Sequence, residues 1–394
     1  MLSLLLKILT GVLLAASLAG IAYLVAAIGS VAAFLRRRVP PAAGDSPPVT
    51  ILKPVCGLEH GLYENLRSFC DQDYPAFQVV FGVRDTDDPA IPVVRQVIRE
   101  FPELDPVLLV GGAADAPNLK VSNLVTMFPA ARHDLIVIAD SDMRVDRNYL
   151  RAVASPFGDP RVGAATCLYS GTPVGGLASR LGAMFINDWF LPSVLVALAF
   201  QELRFCFGAT MAVRREALGA IGGFEALAPY LADDYVLGNL VAQRGYRVAL
   251  LPYVAECVVA EPGFRSLAAH ELRWARTVRA CRPAGYAFSI IGNGAVSLSL
   301  LYFLASGLGV AGIAVLLAAI ALRVVLHAVA RFAARVPGPA RPWLVPVRDL
   351  LCLAIWAASF WGRGVRWRGR RFSVRPDGRF TTNGAGGRHE DPLS

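Results

Sequence analysis

A chain of 394 residues that is 55% hydrophobic and 18% charged, with a mean hydropathy of +0.48, is too apolar for an ordinary soluble protein. It is also too charged in its middle for a pure bundle of membrane helices. The apolar residues gather at the two ends, which reads as a soluble core held by membrane segments. The formal net charge of +9 comes with arginines beside the apolar runs, at Arg36-Arg37-Arg38 and at Arg363, Arg366, Arg368, Arg370 and Arg371, as juxtamembrane positives are placed. No basic, aromatic-interleaved face lies in the core, which excludes nucleic acid as a partner.

Taken in chain order, residues Leu2 to Leu35 are almost wholly apolar, with Lys7 near the start. The run is long enough for a bilayer core of ~30 Å. It ends in arginines rather than a small-residue cleavage site, so it reads as a retained anchor over 1–38, with the chain after Arg38 in the cytoplasm. Pro40-Pro41 through Pro47-Pro48 is a stiff linker. The core, 39–286, opens with a strand over Val49–Pro54. It continues with a helix over Leu62–Cys70, a strand over Val79–Val83, a helix over Ile91–Phe101, a strand over Val107–Val110 and a helix over Asn118–Phe128. A fourth strand, Leu135-Ile136-Val137-Ile138, leads into Ala139-Asp140-Ser141-Asp142. Strand and helix alternate at βα spacing, which predicts an α/β fold with a mostly parallel, Rossmann-like sheet. A dinucleotide-type Gly-x-Gly-x-x-Gly is missing after the first strand.

Further on, Val162–Leu168, Phe207–Val213 and Tyr246–Leu251 read as strands, and Asp233–Gln243 and Ser266–Arg279 as helices. Asp188–Phe200 is apolar but broken by Pro192: a core helix, or an interfacial or re-entrant segment. Membrane segments are expected over 287–365. Ser289–Val329 gives two spans joined by a tight turn at Gly307-Leu308-Gly309. Trp343–Trp361 contains Arg348 and Asp349 and is expected to be re-entrant or interfacial. The tail, 366–394, reads as basic, then disordered and cytoplasmic. The seven cysteines show no Cys-x-x-Cys and no zinc-like spacing to the five histidines, which suits buried thiols in a reducing compartment.

The chemistry concentrates at acidic strand ends. Asp140 and Asp142 follow a strand buried on both faces, so they point into the crevice where open α/β sheets bind ligands. Two carboxylates so close repel unless a cation neutralises them, and Mg²⁺ or Mn²⁺ carrying a diphosphate is the natural occupant. Solvated turn aspartates are the bland reading of the same pair. Asp85 with Asp88, and Asp233 with Asp234, form two further acidic sites; before Pro89 and at a helix start, the same residues are also good turn and cap formers.

These motifs resemble the family 2 glycosyltransferases, specifically their ceramide glucosyltransferase-like branch, over nearly the whole chain. The resemblance is carried by Ile51-Leu52-Lys53-Pro54 with Gly57, Asp73-Tyr74-Pro75, Asp85-Thr86-Asp87-Asp88-Pro89, and Asn118-Leu119-Lys120-Val121-Ser122-Asn123. It continues in Asp140-Ser141-Asp142, Asp233-Asp234-Tyr235 and His270-Glu271-Leu272-Arg273-Trp274. At His270 family members usually carry Gln or Arg. Within that branch, Asp140-Ser141-Asp142, His270-Glu271-Leu272-Arg273-Trp274 and Phe185-Ile186-Asn187-Asp188-Trp189-Phe190 most resemble the bacterial hopanoid-biosynthesis members, which implies transfer of N-acetylglucosamine from its UDP form to bacteriohopanetetrol. Ceramide with UDP-glucose is the alternative. The resemblance implies a GT-A fold, an inverting reaction, and a multi-pass protein of the inner membrane. It implies metal at Asp140 and Asp142, and donor contacts from Lys53, Asp85, Asp88, Lys120, Asp140 and His270. Catalysis falls to Asp234, Arg273 and Trp274. Chemistry supports several of these roles separately. Asp234 is a candidate base for the acceptor hydroxyl, Lys120 a point charge for phosphate, and Arg273 a bidentate one, with Trp274 closing over the donor. The rival readings are a solvated helical face for Glu271–Arg276 and an interfacial anchor for Trp274.

Overall fold

In a computed structural model that describes residues 1–37, 46–112, 116–362, 364–367, 370–375 and 378–382, the N-terminal apolar run is one helix, α1 (Leu2–Leu35). Arg38 and most of the Pro40–Pro48 linker lie outside the described residues. The predicted alternation follows: β1 (Val49–Val55), α2 (Leu62–Cys70), β2 (Phe77–Val83), α3 (Ile91–Glu100), β3 (Val107–Val110), α4 (Leu119–Met127) and β4 (Leu135–Ile138). β3, β2, β1 and β4 pair in parallel in that order. Leu135, Ile136, Val137 and Ile138 are all buried, as a strand covered on both faces must be.

The second half of the sheet is mixed. It comprises β5 (Met143–Arg144), α5 (Tyr149–Ala154), β6 (Val162–Pro173), α6 (Leu177–Phe185), a π-helical turn (Ile186–Phe190), α7 (Leu191–Phe200), β7 (Met211–Arg214), α8 (Arg215–Ala220), α9 (Asp233–Gln243), β8 (Arg247–Val259) and α10 (Phe264–Cys281). The full order is β3-β2-β1-β4-β7-β6-β8-β5. β7 runs antiparallel to both β4 and β6, while β6 and β8 are parallel. The direction of the sheet therefore reverses beside β4, where Asp140 emerges. One apolar layer packs α2, α3 and α5 on one face of the sheet; another packs α4, α8 and α9 on the other.

The membrane part departs from the sequence reading in three ways. The expected tight turn is present, with Gly307 and Leu308 at φ +74° and +61°, and α13 (Val310–Ala333) follows it. The first of the two expected spans, however, is a pair, α11 (Pro283–Asn293) and α12 (Ala295–Ala305), bent by 65°. At 1.5 Å per residue α12 alone reaches only about 16 Å, half of a bilayer core. Next, the apolar region around Pro192 joins α6, the π turn and α7 into a 24-residue run, long and apolar enough to span but mostly buried against protein. The π turn and Pro192 near the start of α7 accommodate the break without ending the helix.

The third departure lies at the C-terminus. A small antiparallel sheet, β9 (Gly364–Trp367), β10 (Arg370–Val374) and β11 (Phe380–Thr382), occupies part of the tail read as disordered. It follows α14 (Val345–Ser359) and is pinned to α10. Arg276 donates to the carbonyls of Trp361 and Gly364, and Arg279 donates to Gly362 O at 3.0 Å. Residues 383–394, with Arg363 and Arg368, lie outside the described residues.

Arg348 and Asp349 of α14 are buried, at 0% and 1% exposure, because each has an internal partner. Asp349 accepts from Arg323 of α13 at 3.2 Å, and the Arg323 guanidinium also lies 3.6 Å from the Trp189 ring centroid. Removing one partner of such a pair leaves an unpaired buried charge. Asp349→Leu should cost about 3–5 kcal/mol, read as a fall in Tm of the detergent-solubilised protein. Asp349→Leu combined with Arg323→Met should recover most of that loss; a double variant as unstable as the single one would reject the pairing as the cause.

Candidate active site

β4 ends where the apolar run ends, and the next residues turn their carboxylates out of the sheet. The Asp140 side chain is 39% exposed, while its backbone carbonyl accepts from Lys53 Nζ. Asp142 is held deeper. Its carbonyl accepts from Val258 N of β8 at 3.0 Å, and Cys257 Sγ donates to its Oδ2 at 3.7 Å. Its Oδ1 is buried with no hydrogen-bond partner. Burial first, then the charges of Asp140 and Glu59, push the Asp142 carboxyl up to about 7. A pair this costly, with an orphaned oxygen, fits a divalent cation. Among the described residues, three His, Cys, Asp or Glu side chains nowhere gather as a metal cluster. Two carboxylates, with the other positions left to phosphate oxygens and water, match the hard and heavily hydrated Mg²⁺ or Mn²⁺.

Two lysines compensate this charge from inside. Lys53 is 0% exposed and sits with Nζ 3.5 Å from the Phe69 ring centroid. Burial lowers it to about 7 against the pull of Asp142, Asp140 and Glu59. It lies beneath the site and has no open face for a donor, which corrects its reading as a donor ligand. Lys120 lies 2.7 Å from Asp140 Oδ1 and 3.4 Å from Asp233 Oδ2. Burial disfavours its charge, but those carboxylates outweigh it and hold Lys120 well above the ordinary lysine range. Asn118 caps α4 by accepting from Lys120 N and Val121 N at 3.0 and 3.2 Å. Its amide donates to Tyr230 O at 2.8 Å, so the Asn-x-Lys spacing ties α4 to the segment that carries Asp233 and Asp234.

Asp233 and Asp234 open α9 and face differently. Asp233 is 7% exposed and turns inward to Lys120. Asp234 is half-buried; its Oδ1 accepts from Tyr235 N at 2.7 Å and its Oδ2 from Gly208 N at 2.8 Å. Burial and Asp233 push its carboxyl up to about 6, with Lys120 opposing. Gly208 was missed by sequence reasoning, which took Phe207–Val213 for a plain strand. A Cβ there would sit 3.0 Å from Asp140 Oδ2, 3.5 Å from Asp234 Oδ2 and 3.8 Å from Lys120 Nζ. Gly208 is the contact that lets the Asp140 and Asp234 carboxylates share one space. A glycine inside an apolar strand-like run is the signal that marks such close approach.

Asp85, just past β2, is 59% exposed, with Arg84 beside it at 3.2 Å, and stays available to a ligand. Asp88 does not. Both its oxygens accept from Gly57 N at 2.9 Å and Oδ1 also accepts from Ala90 N at 2.8 Å. At 9% exposure it fastens the turn after β1 to the start of α3, so turn capping replaces its reading as a donor contact. On α10, His270 Nδ1 and Glu261 Oε1 are 2.8 Å apart, and the His270 ring lies 4.2 Å from that of Trp274. Trp274 in turn stacks on Phe185 of α6 at 5.8 Å. The hydrogen bonds from His270 and Ser266, with the charge of Arg273, keep Glu261 below the usual carboxylate range. Glu271 is not on a solvated face. It is 3% exposed and accepts both Nη1 and Nη2 of Arg348 at 2.6 Å, which bolts α10 to α14.

A sheet that reverses direction beside paired carboxylates, with a base-like carboxylate across a glycine, is the layout of a GT-A glycosyltransferase. The chain belongs to glycosyl transferase family 21, whose profile matches residues 12–380. It is 28% identical over 212 residues to ceramide glucosyltransferase 3 of Caenorhabditis elegans, covering 53% of this chain and 46% of that protein. It is 34% identical over 116 residues to ceramide glucosyltransferase of Komagataella phaffii, covering 28% and 23%. The match thus spans less than half the length of these relatives. A mannosyltransferase from Pyrobaculum calidifontis, solved with GDP-Man and Mn²⁺, shares the fold at a TM-score of 0.58 and 21% identity, over 90% of this chain and 99% of that one.

Two outcomes follow from the geometry. Gly208→Ala should keep the fold but lower turnover by at least ~10-fold, since a methyl at 3.0 Å from Asp140 must displace a reacting group and small misplacements are costly. Circular dichroism and initial rates check this, and wild-type turnover would show that the gap has slack. Arg348→Met should leave Glu271 buried and unpaired, lower Tm, and reduce kcat more than donor affinity; Arg348→Lys, monodentate, should restore Tm more than kcat.

Proposed function

We propose that this protein moves a sugar from a nucleotide-sugar donor, a UDP-sugar by resemblance, to a hydroxyl of a membrane lipid. The supporting observation is the Asp234 carboxylate: half open, lifted toward neutrality, and across Gly208 from the Asp140 side chain. Asp234 takes the acceptor hydroxyl's proton as the new bond forms from that oxygen to the anomeric carbon. The bond from that carbon to the diphosphate breaks on the opposite face, and the nucleoside diphosphate leaves with the electron pair. Asp140 and Asp142 would hold Mg²⁺ or Mn²⁺, whose charge when bound offsets that of the departing diphosphate. Asp85 accepts from the nucleoside, and Arg273 and Trp274 close on the donor from α10.

The acceptor follows from the membrane helices packed against the core and from the names of the relatives, which favour a ceramide-type lipid with glucose as the sugar. Bacteriohopanetetrol with N-acetylglucosamine rests on the resemblance of the Asp140–Asp142, Phe185–Phe190 and His270–Trp274 motifs alone. The arginines after α1 favour a cytoplasmic core on the inner membrane.

Purified protein offered UDP-glucose with ceramide, and UDP-N-acetylglucosamine with bacteriohopanetetrol, should yield glucosylceramide by mass spectrometry in the first reaction. Product only in the second would reverse the acceptor assignment. Asp234→Asn should still bind UDP by calorimetry while transfer falls by at least ~10²-fold; full transfer would place the base elsewhere. Asp142→Ala should abolish turnover, whereas Asp146→Ala, at an exposed position, should leave it near wild type. Equal rates for the two would reject the metal pair.

A further inference from the structure

A cavity with a few polar groups in a largely apolar lining lies away from the carboxylates of the active site. It has a volume of about 180 Å³ and is walled by α6, the π turn, the end of α13 and the segment between α13 and α14. At its base Asp188 and His327, each 2% exposed, pair through Oδ2 and Nδ1 at 2.7 Å. That contact uses only half of each group. Asp188 Oδ1 and His327 Nε2 are buried with no hydrogen-bond partner, and both residues line the cavity. A buried polar atom left unpaired costs about 1–3 kcal/mol, so two of them on residues that line one cavity mark a place where a ligand supplies the missing bonds.

The remaining polar lining is cationic. Arg180 lines the cavity from α6 and Arg341 from the segment between α13 and α14, and among the described residues neither guanidinium has a hydrogen-bond or ion-pair partner. Arg331 is spent on the rim, donating to Val336 O, Pro337 O and Gly338 O. Two unspent arginines thus share the lining with one carboxylate, which is already turned to His327. Asn187 is spent too, since its amide exchanges hydrogen bonds with Gly171 at 2.8 and 2.9 Å. The cavity is far larger than the ~10–15 Å³ that a single water needs.

Its place in the fold says where an anion comes from. Phe34 at the end of α1 packs in one cluster with Ala333 and Ala334 at the end of α13. The cavity therefore lies at the end of the helix bundle from which the chain leaves for the core. Phe332 and Trp343 beside it are 77% and 65% exposed, as aromatic anchors at a bilayer interface are. Basic pockets between membrane helices at this level take anionic headgroups.

We propose that this cavity binds the phosphate of an anionic membrane lipid whose headgroup carries a hydroxyl. Arg180, Arg341 and His327 Nε2, the ring nitrogen not used by Asp188, hydrogen-bond to the phosphate oxygens. Asp188 Oδ1 accepts from the headgroup hydroxyl. None of the active-site carboxylates Asp140, Asp142, Asp233 and Asp234 lines the cavity, so binding there is read separately from sugar transfer.

The test uses the full chain in nanodiscs of phosphatidylcholine doped with phosphatidylglycerol, read by native mass spectrometry, and thermal shift in detergent with each lipid or with inorganic phosphate. Wild type should retain one phosphatidylglycerol, with a Tm rise that neither phosphatidylcholine nor inorganic phosphate reproduces. Arg180→Gln with Arg341→Gln should weaken that binding by at least ~10-fold, and His327→Gln should weaken it further, with UDP binding unchanged. Binding of phosphatidylglycerol no tighter than of phosphatidylcholine would overturn the proposal and leave a water-filled cavity. Stabilisation by inorganic phosphate alone would overturn the lipid assignment. If the double variant does not fold, as judged by loss of UDP binding, the preference of wild type between the two lipids decides.

Discussion

Asp140 and Asp142 stand one residue apart at the end of a strand buried on both faces, and most of the surrounding structure answers their charge. Lys53 comes up from β1 beneath them, fully buried against Phe69. Lys120 comes from α4 and bridges Asp140 to Asp233. The Asp142 carboxyl still stays near 7 with one oxygen unpaired. The lysines hold the carboxylates in place without quenching them, and the residual demand for positive charge is the property that suits the site to a cation and a diphosphate.

Topology supplies the other half. Four parallel strands would leave the crevice beside β4 open. Instead the chain returns antiparallel as β7, and the loop before β7 brings Gly208 over the carboxylates. The absent side chain at Gly208 sets the distance between Asp140 and Asp234, two residues almost a hundred positions apart. The Gly208 N–H also orients the Asp234 carboxylate, leaving it half open while its neighbour Asp233 turns in to Lys120. One helix start thus gives two aspartates with different work.

The membrane helices are joined to the core by charge as well as by apolar packing. Arg348 to Glu271, Arg323 to Asp349 and His327 to Asp188 are three buried pairs that connect α14, α13, the π turn and α10. Trp189 lies between the Arg323 and Arg348 guanidiniums. Buried pairs contribute little net stability, but they penalise any other arrangement heavily. They fix where α10, with Arg273 and Trp274, sits relative to the bilayer.

The parallel half of the fold was legible because its signals are local. A buried strand is a short aliphatic run, a helix start has its own cap chemistry, and a span is a count of apolar residues; β1 to β4, α1 and the turn at Gly307-Leu308-Gly309 all follow from neighbours in sequence. Asp140, Asp142, Asp234 and Lys120 were legible for the same reason, since acidic residues at strand ends and a lysine in the first turn of a helix announce themselves. Asp88 and Lys53 have the same residue types and the same neighbourhoods as the open groups, yet one is consumed by the backbone of Gly57 and Ala90 and the other is buried against Phe69 of α2. Gly208 looked like part of a strand, and Arg348 looked like a charge out of place. What the sequence by itself determined is which segments are strands, helices and spans, and which residues carry ionisable groups. Only the tertiary structure decided which groups are open and which are spent, because burial and pairing depend on partners far away along the chain. Glu271 and Arg348, 77 residues apart, meet only when the chain is folded.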